Sequence, residues 1–417
     1  MDEQHERALR RKAIRLTLRG LPPRLILRQL SCTRSWLLKW QRRFRRFGWA
    51  GLRSQSRRPH RSPQAYPSAV RQRVLQARQI LQQREVGLIG PAAIQSELRR
   101  GFPRSAVPST ATIKRILRKA GLRKVPPQPT QPGYYPQPTP SKDYRLHALD
   151  WTERYLPGGS KVFAFHTIDV SSRAIKQTIG SDKAITTVHR HLLAVWLSLG
   201  LPDGLQMDND AAFCGGYKMQ RVFGQIVRLC LYLGIEPIFI PVGEATRNGL
   251  VEQLNGLWSR SFWRRRHFAN LAEVGRASPE FEAWYAQEYR PPGLHGQTPT
   301  QAARQQQVRR LSRQQANGVP TKLPITAGRV HFIRLVDEQG QIALLNEKWR
   351  VGKRWAGRYV WATISTNKRQ LRIYYRSSAD AAVRLLRSWA YPLGEAVIPL
   401  KAEYRRAHRR RKMRTML

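Results

Sequence analysis

Residues 147–151 read HALDW, and they open a run in which short apolar segments alternate with helical ones. KVFAFHTIDV (161–170) and AIKQTIG (174–180) have the β-branched and aromatic content of strands, with a turn at Ser171–Arg173 between them. KAITTVHRHLLAVWLSLG (183–200) places Ile185, Val188, Leu192, Val195 and Leu199 at helical spacing. LQMDN (205–209) reads as a fourth strand, GYKMQRVFGQIVRLCLYLG (216–234) as a helix ended by Gly234, and EPIFIPV (236–242) as a fifth strand. NGLVEQLNGLWSRSF (248–262) opens another helix. The order β-β-β-α-β-α-β-α predicts a mixed sheet flanked by helices.

Outward from this centre the charge changes. The chain has 417 residues, 75 of them Lys or Arg against 26 Asp or Glu, a formal net charge of +49. Residues 142–306 carry 19 basic and 15 acidic side chains, whereas residues 1–125 carry 31 and 5, and residues 307–417 carry 25 and 6. Two strongly basic flanks around a nearly balanced centre suggest arms that grip a polyanion around a catalytic body. A membrane is a poor candidate, because no run approaches the roughly 18–20 apolar residues of a spanning helix, and MDEQHERALRRK lacks a signal-peptide core. Cys32, Cys214 and Cys230 never pair as C-x-x-C, which fits a reducing cytoplasm and argues against zinc fingers or a disulfide framework.

In the N-terminal flank, 4–19 and 22–30 read as helices, with a turn at Ser31, Cys32 and Thr33 before a third helix from about Arg34 to Phe47. This predicts a helix-turn-helix domain over 1–62, ending in the basic arm GLRSQSRRPHRSP. Arg34, Ser35 and Arg42 on the third helix and Arg57 and Arg58 in the arm are its candidate DNA contacts; a plain basic three-helix bundle is the alternative. Residues 63–124 read as a second helical unit, with helices at Ser68–Gln83, Pro91–Arg99 and Ser109–Ala120, either a second DNA-binding unit or a bundle supporting the first. VPPQPTQPGYYPQPTPS (125–141), with seven prolines and no charge, predicts a semi-rigid linker. The balanced segment 142–306 is the core. In 307–400, RVHFIRLV, QIALLN, RYVWATIS and QLRIYY are closely spaced strands that predict a small barrel, and 401–417 is a basic tail, either solvated or on DNA phosphates.

Three acids sit where the expected sheet would gather them: Asp150 in the first strand, Asp208 at the end of the fourth, and Glu252 in the first turns of the helix after the fifth. A carboxylate trio supplies the hard oxygen ligands that Mg²⁺ prefers, and two such ions clamp the attacking and leaving oxygens of a phosphodiester. Taken singly each acid is an ordinary turn or cap residue; order and surroundings make the case. Trp36, Trp40, Trp258, Trp263 and Trp284 read as core residues rather than stacking platforms.

The chain resembles the DDE transposase and retroviral-integrase superfamily, and within it bacterial insertion-sequence transposases of the IS481-like type. LDWT around Asp150 resembles the first-acid motif, and HTIDVSSRAI, with Asp169 at the turn, the hairpin that follows. MDNDAAF resembles D-N-G-x-x-F around the second acid, RNGLVEQLNG resembles N-G-x-V-E-x-x-N around the third, and YRPPGLHGQTP resembles the closing R-P-H-x-x-L-x-x-x-T-P stretch. The resemblance covers about 5–390 and implies an RNase H-like catalytic core followed by an SH3-like barrel. It implies end cleavage of a mobile element and 3′-OH strand transfer into target DNA, with two Mg²⁺ (Mn²⁺ substituting) held by Asp150, Asp208 and Glu252. It also implies double-stranded DNA as partner, both terminal inverted repeats and target, a homo-oligomer of at least two protomers on DNA, and a bacterial cytoplasmic, nucleoid-associated setting. An accessory ATPase is left open.

Two departures matter. The glycine after D-N is Asp210 here, a possible extra carboxylate. The family spacing of about 35 residues between second and third acids fits Glu244, since thirty-five residues separate it from Asp208, whereas forty-three separate Asp208 from Glu252. The surrounding motif favours Glu252, on a helix that packs against the sheet; Glu244 lies in the G-E-A-T-R loop before it. Arg247, Asn255 and Arg260 near Glu252 are candidate phosphate contacts or solvated helix residues. Asn209 reads as a turn residue, Asn248 as a helix cap, and His295 as a ring pinning its loop. The rival classes are a non-catalytic DNA-binding regulator with an integrase-like fold and a nucleic-acid-packaging protein.

Overall fold

In a computed structural model the described residues are 3–54, 66–122, 134–210 and 220–405. They belong to two compact units, 1–68 and 69–417. No helix among the described residues is long and apolar enough to cross a membrane.

The first unit is three helices, α1 (Glu3–Leu18), α2 (Pro23–Leu30) and α3 (Arg34–Phe47). Pro23 starts α2 where no backbone donor is needed. The tight turn comes from Ser31, which takes the left-handed region (φ 45°), and from the Thr33 side chain, which accepts from Trp36 N at 3.3 Å to cap α3. The apolar stripes of the helices meet at Ala13, Leu16, Ile26 and Leu37, with Ile14, Trp40 and Leu52 beside them. Arg34, Ser35 and Arg42 stay on the exposed face of α3.

The second unit begins with α4 (Ser68–Gln83), α5 (Pro91–Gly101) and α6 (Thr110–Lys119), close to the bounds expected from sequence. Ser109 caps α6 by accepting from Thr112 N. These helices share a core of Val74, Leu81, Ile94, Leu98, Ile113 and Leu117. They are tied to the body that follows: Arg265 donates to the carbonyls of Leu81 (2.7 Å) and Gln82 (3.0 Å), and Gly87 N donates to Ser261 O at 3.1 Å.

The body is built on one nine-stranded sheet. Its strands are β1 (Leu146–Tyr155), β2 (Lys161–Asp169), β3 (Ile175–Gly180), β4 (Gly204–Met207), β5 (Glu236–Phe239), β7 (Arg329–Leu335), β10 (Tyr359–Ser365), β11 (Gln370–Tyr375) and β12 (Arg384–Ala390). The order is β12-β11-β10-β7-β5-β4-β1-β2-β3. β1, β2 and β3 pair antiparallel, while β4 and β5 add in parallel to β1, the mixed α/β arrangement read from the sequence. Helices cover both faces. On one lie α7 (Ile185–Leu199) and α8 (Gln225–Tyr232), packed on Leu149, Phe165, Leu205 and Phe239. On the other lie α9 (Gly249–Ser261) and α10 (Leu271–Gln287), packed on Ala148, Val162, Ala164 and Ile168. Of the helix expected over 216–234, residues 216–219 lie outside the described residues, and α8 starts after Gly224.

β7 pairs in parallel with β5, at Ile238↔His331 and Phe239↔Phe332, so the C-terminal strands are hydrogen-bonded to the core sheet. Among the described residues the order ends at β12; β8 (Gln341–Leu344) with β9 (Glu347–Arg350) forms a separate hairpin, and β6 (Ile325–Thr326) pairs in parallel with β13 (Val397–Ile398). A buried network welds the junction: Glu236 accepts from Arg329 (2.7 Å), and His331 lies between Glu236 (3.3 Å) and Thr363 (3.0 Å). The proline-rich stretch is outside the described residues up to 133. Beyond it Tyr135 stacks edge-on against Tyr359 (5.2 Å) under the Arg247 guanidinium (4.3 Å), so its last part is bound to the body rather than free.

Candidate active site

Asp150 lies in mid-strand β1, paired in register with His166 of β2, on the face that also carries Ala148 and meets α9. Its carboxylate is held at both oxygens. Trp151 N donates to Oδ1 at 2.8 Å and the Asn255 amide of α9 donates to Oδ2 at 2.7 Å. The Asn255 oxygen faces His166 Nδ1 at 2.6 Å. With its NH₂ spent on Asp150, Asn255 accepts, so His166 carries its proton on Nδ1. Burial keeps that imidazole neutral, lowering it to about 4.

Asp208 follows the end of β4, where a parallel sheet opens its ligand-binding edge. Its Oδ1 accepts from Asp210 N at 3.0 Å. Glu252 sits in the first turn of α9, where the helix dipole favours a carboxylate. The base of α9 is fixed by buried Asn248, which donates to Leu149 O at 2.9 Å and accepts from Gln206 at 3.0 Å. Asn248 thus ties α9 to β1 and β4 and makes no cap bond, unlike the role read from sequence. Asn209 bridges the next loop, donating to Ile240 O (2.6 Å) and accepting from Arg334 (2.7 Å).

All three acids are pushed above the ordinary carboxylate range. Burial, and then the charges of Asp208 and Glu252, take Asp150 up to about 7, against the pull of its two donors. Burial raises Asp208 against the pull of the Asp210 N–H, with the Asp210 charge adding to the rise and Lys183 opposing it, and burial raises Glu252. Carboxylates gathered in low dielectric are what a cation would relieve. Among the described residues no group of three or more His, Cys, Asp or Glu side chains is placed where it could hold a metal ion. The donor set is carboxylate oxygen throughout, which suits Mg²⁺ or Mn²⁺ rather than a soft metal.

Glu244 is used elsewhere: its Oε2 accepts from Arg247 (2.8 Å) and from the Tyr359 hydroxyl (2.7 Å). Arg247, a candidate phosphate contact from sequence, spends its guanidinium on Glu244, on Tyr359 and over the Tyr135 ring. Arg260 is exposed at the far end of α9. Arg57 and Arg58 lie outside the described residues. Trp258 is fully buried behind His166, and Trp263 and Trp284 pack in the same cluster, as core residues do. His295 is exposed at a positive φ of 48°. Sequence reading passed over His166, Gln206 and Lys183 and treated Asn255 as a surface residue. The signals available were Asn255 sharing a helix face with Glu252, three positions on, and its place as the last residue of the N-G-x-V-E-x-x-N motif.

No family model matches the chain, and no curated protein matches it. Among solved structures it is similar to the HTLV-2 integrase catalytic core in complex with magnesium, at 17% identity over 38% of this chain and 95% of that one, with a TM-score of 0.27. It is also similar to a simian T-cell lymphotropic virus intasome in complex with PP2A regulatory subunit B56 gamma, at 17% identity over 73% of this chain and 93% of that one, with a TM-score of 0.32. Overlaps of this size carry no argument about function.

Proposed function

We propose that the chain cuts and joins DNA as a transposase or integrase of the DDE class, with Asp150, Asp208 and Glu252 as its metal-binding acids. The observation that supports this is Asp150 itself: a carboxylate fixed by Trp151 N and Asn255 and raised to about 7, first by burial and then by the charges of Asp208 after β4 and Glu252 on α9. These are the three positions at which the motifs place their acids.

When bound, two Mg²⁺ ions (or Mn²⁺) supply activation of the attacking oxygen and stabilisation of the leaving one. The chain's own work is positioning. Asn255 and Trp151 N fix the Asp150 carboxylate, His166 fixes the Asn255 amide, and Asn248 holds the base of α9 against β1 and β4. In the proposed reaction water attacks a phosphodiester at the element end and frees a 3′-OH. That hydroxyl then attacks target DNA, breaking one phosphodiester as it forms another, so no ATP is consumed. Arg34, Ser35 and Arg42 on α3, with Arg57, Arg58 and Arg260, are proposed DNA contacts. At least two protomers act on paired ends, in the cytoplasm, on double-stranded DNA.

The test is cleavage of a labelled duplex carrying the element's terminal repeats, in Mg²⁺ or Mn²⁺, by wild type, Glu252→Gln and Glu244→Gln. Cleavage lost in Glu252→Gln with DNA binding intact supports the assignment. Cleavage that survives Glu252→Gln and is lost in Glu244→Gln moves the third acid to Glu244. Binding without cleavage by wild type in either metal favours a DNA-binding regulator.

A further inference from the structure

Beside the acids stands a cation that the proposed chemistry leaves unused. Lys183 precedes α7, and its backbone is fixed by Asp182, whose Oδ1 accepts from Ala184 N (3.0 Å) and the Thr187 hydroxyl (2.6 Å). The Lys183 ammonium lies 4.6 Å from the centre of the Trp151 ring, the residue next to Asp150. It donates to Asp210 Oδ2 at 2.9 Å, and the Asp210 backbone in turn donates to Asp208. Its positive charge is felt at Asp208. The lysine is therefore held over the site by an aromatic face and an acid, at 45% side-chain exposure, open to an incoming strand.

Asp210 stands where the resembled motif has glycine, so the partner that holds Lys183 is this chain's own. The pair suits exchange. A Lys–Asp contact whose ammonium is this open to solvent is weak, and it leaves the other Lys183 protons free for acceptors. A DNA phosphate arriving at the acids would meet this ammonium at the site's edge.

We propose that Lys183 binds a DNA phosphate beside the acid site and that Asp210 is its latch, holding the ammonium over Trp151 until DNA displaces it. This rests on the DNA-cutting reading above, and the experiment separates the two. Full-length wild type, Lys183→Gln, Lys183→Arg and Asp210→Asn are titrated with a labelled terminal-repeat duplex in Ca²⁺ across a salt series, then assayed for cleavage in Mg²⁺. Loss of one phosphate contact lowers the slope of log affinity against log salt by about 0.9. Lys183→Gln is expected to show that loss, with KM raised roughly tenfold and kcat little changed, and Lys183→Arg to restore the slope. Asp210→Asn frees the lysine and is expected to bind roughly two- to fivefold tighter while still cutting, the fold-change of an exposed ion pair. An unchanged slope and KM in Lys183→Gln overturns the proposal. So does loss of cleavage in Asp210→Asn with binding intact, which would make Asp210 a metal ligand. If wild type binds and never cuts, the catalytic reading fails while the slope comparison still decides the role of Lys183.

Discussion

Replacing Asp150 by Asn is expected to stabilise the metal-free protein at alkaline pH while removing activity. In the folded chain Asp150 protonates at about 7, against about 3.9 for an exposed carboxyl. Between those values the unfolded chain gives up the proton and the folded chain keeps it. Wild-type stability therefore falls as pH rises from 4 to 7 and stays low above, by at most about 4 kcal/mol. Asparagine carries no charge and escapes that penalty. It sacrifices something, because both Asp150 oxygens accept, from Trp151 N and from Asn255, and the new NH₂ must face one of those donors. One mismatched buried donor costs about 1–3 kcal/mol. A flip of Asn255 would cure it only if His166 moved its proton from Nδ1. The net expectation for Asp150→Asn is a gain of about 1–3 kcal/mol at pH 8, shrinking to nothing or a small loss at pH 5. Urea unfolding in EDTA at the two pH values measures it. A difference between variant and wild type that is the same at pH 5 and pH 8 would refute the account of Asp150 as a carboxylate strained by burial and by its acidic neighbours.

Three further outcomes follow from other parts of the molecule. Burial opposes ionisation of Asp169, yet its Oδ2 accepts from Arg145 at 2.6 Å with His147 at 3.4 Å, and Oδ1 from Ser171 N and from Ser172 N and hydroxyl, so the carboxyl stays well below the usual range. The stability it contributes is present above pH 4 and lost as pH falls further, and Asp169→Asn should cost about 3–5 kcal/mol in urea unfolding at pH 7 and flatten the acid limb. Asn248→Ala removes the side-chain donor to Leu149 O and one of the two acceptors of the Gln206 amide, which keeps Arg247 O at 3.3 Å, so about 1–3 kcal/mol of stability should be lost, with weaker metal binding by calorimetry because α9 is no longer pinned. Ser31→Gly relieves a left-handed φ of 45° in the turn before α3 and should raise the melting temperature of the first helical unit, a gain of about 0.5–1 kcal/mol; a lower melting temperature would show that the serine side chain matters more than its backbone.

Much was legible because it is local. The proline at 22–23, the turn at 31–33 and Ser109 mark helix starts by their own chemistry, and α4, α5 and α6 fall close to the residues that apolar periodicity gives. The strand and helix order of the core, and the placing of Asp150, Asp208 and Glu252 at strand centre, strand end and first helical turn, also follow from spacing along the chain. Only the tertiary structure decided which of these meet. That Asn255 turns inward to Asp150, that His166 backs it across the β1–β2 register, and that Glu244 is taken by Arg247 and Tyr359 depend on residues far apart in sequence. The joining of β7 to β5 was equally hidden. Alternation of apolar residues tells a strand which face to bury and says nothing of which strand lies at its edge, because the backbone groups that pair there are the same in every residue.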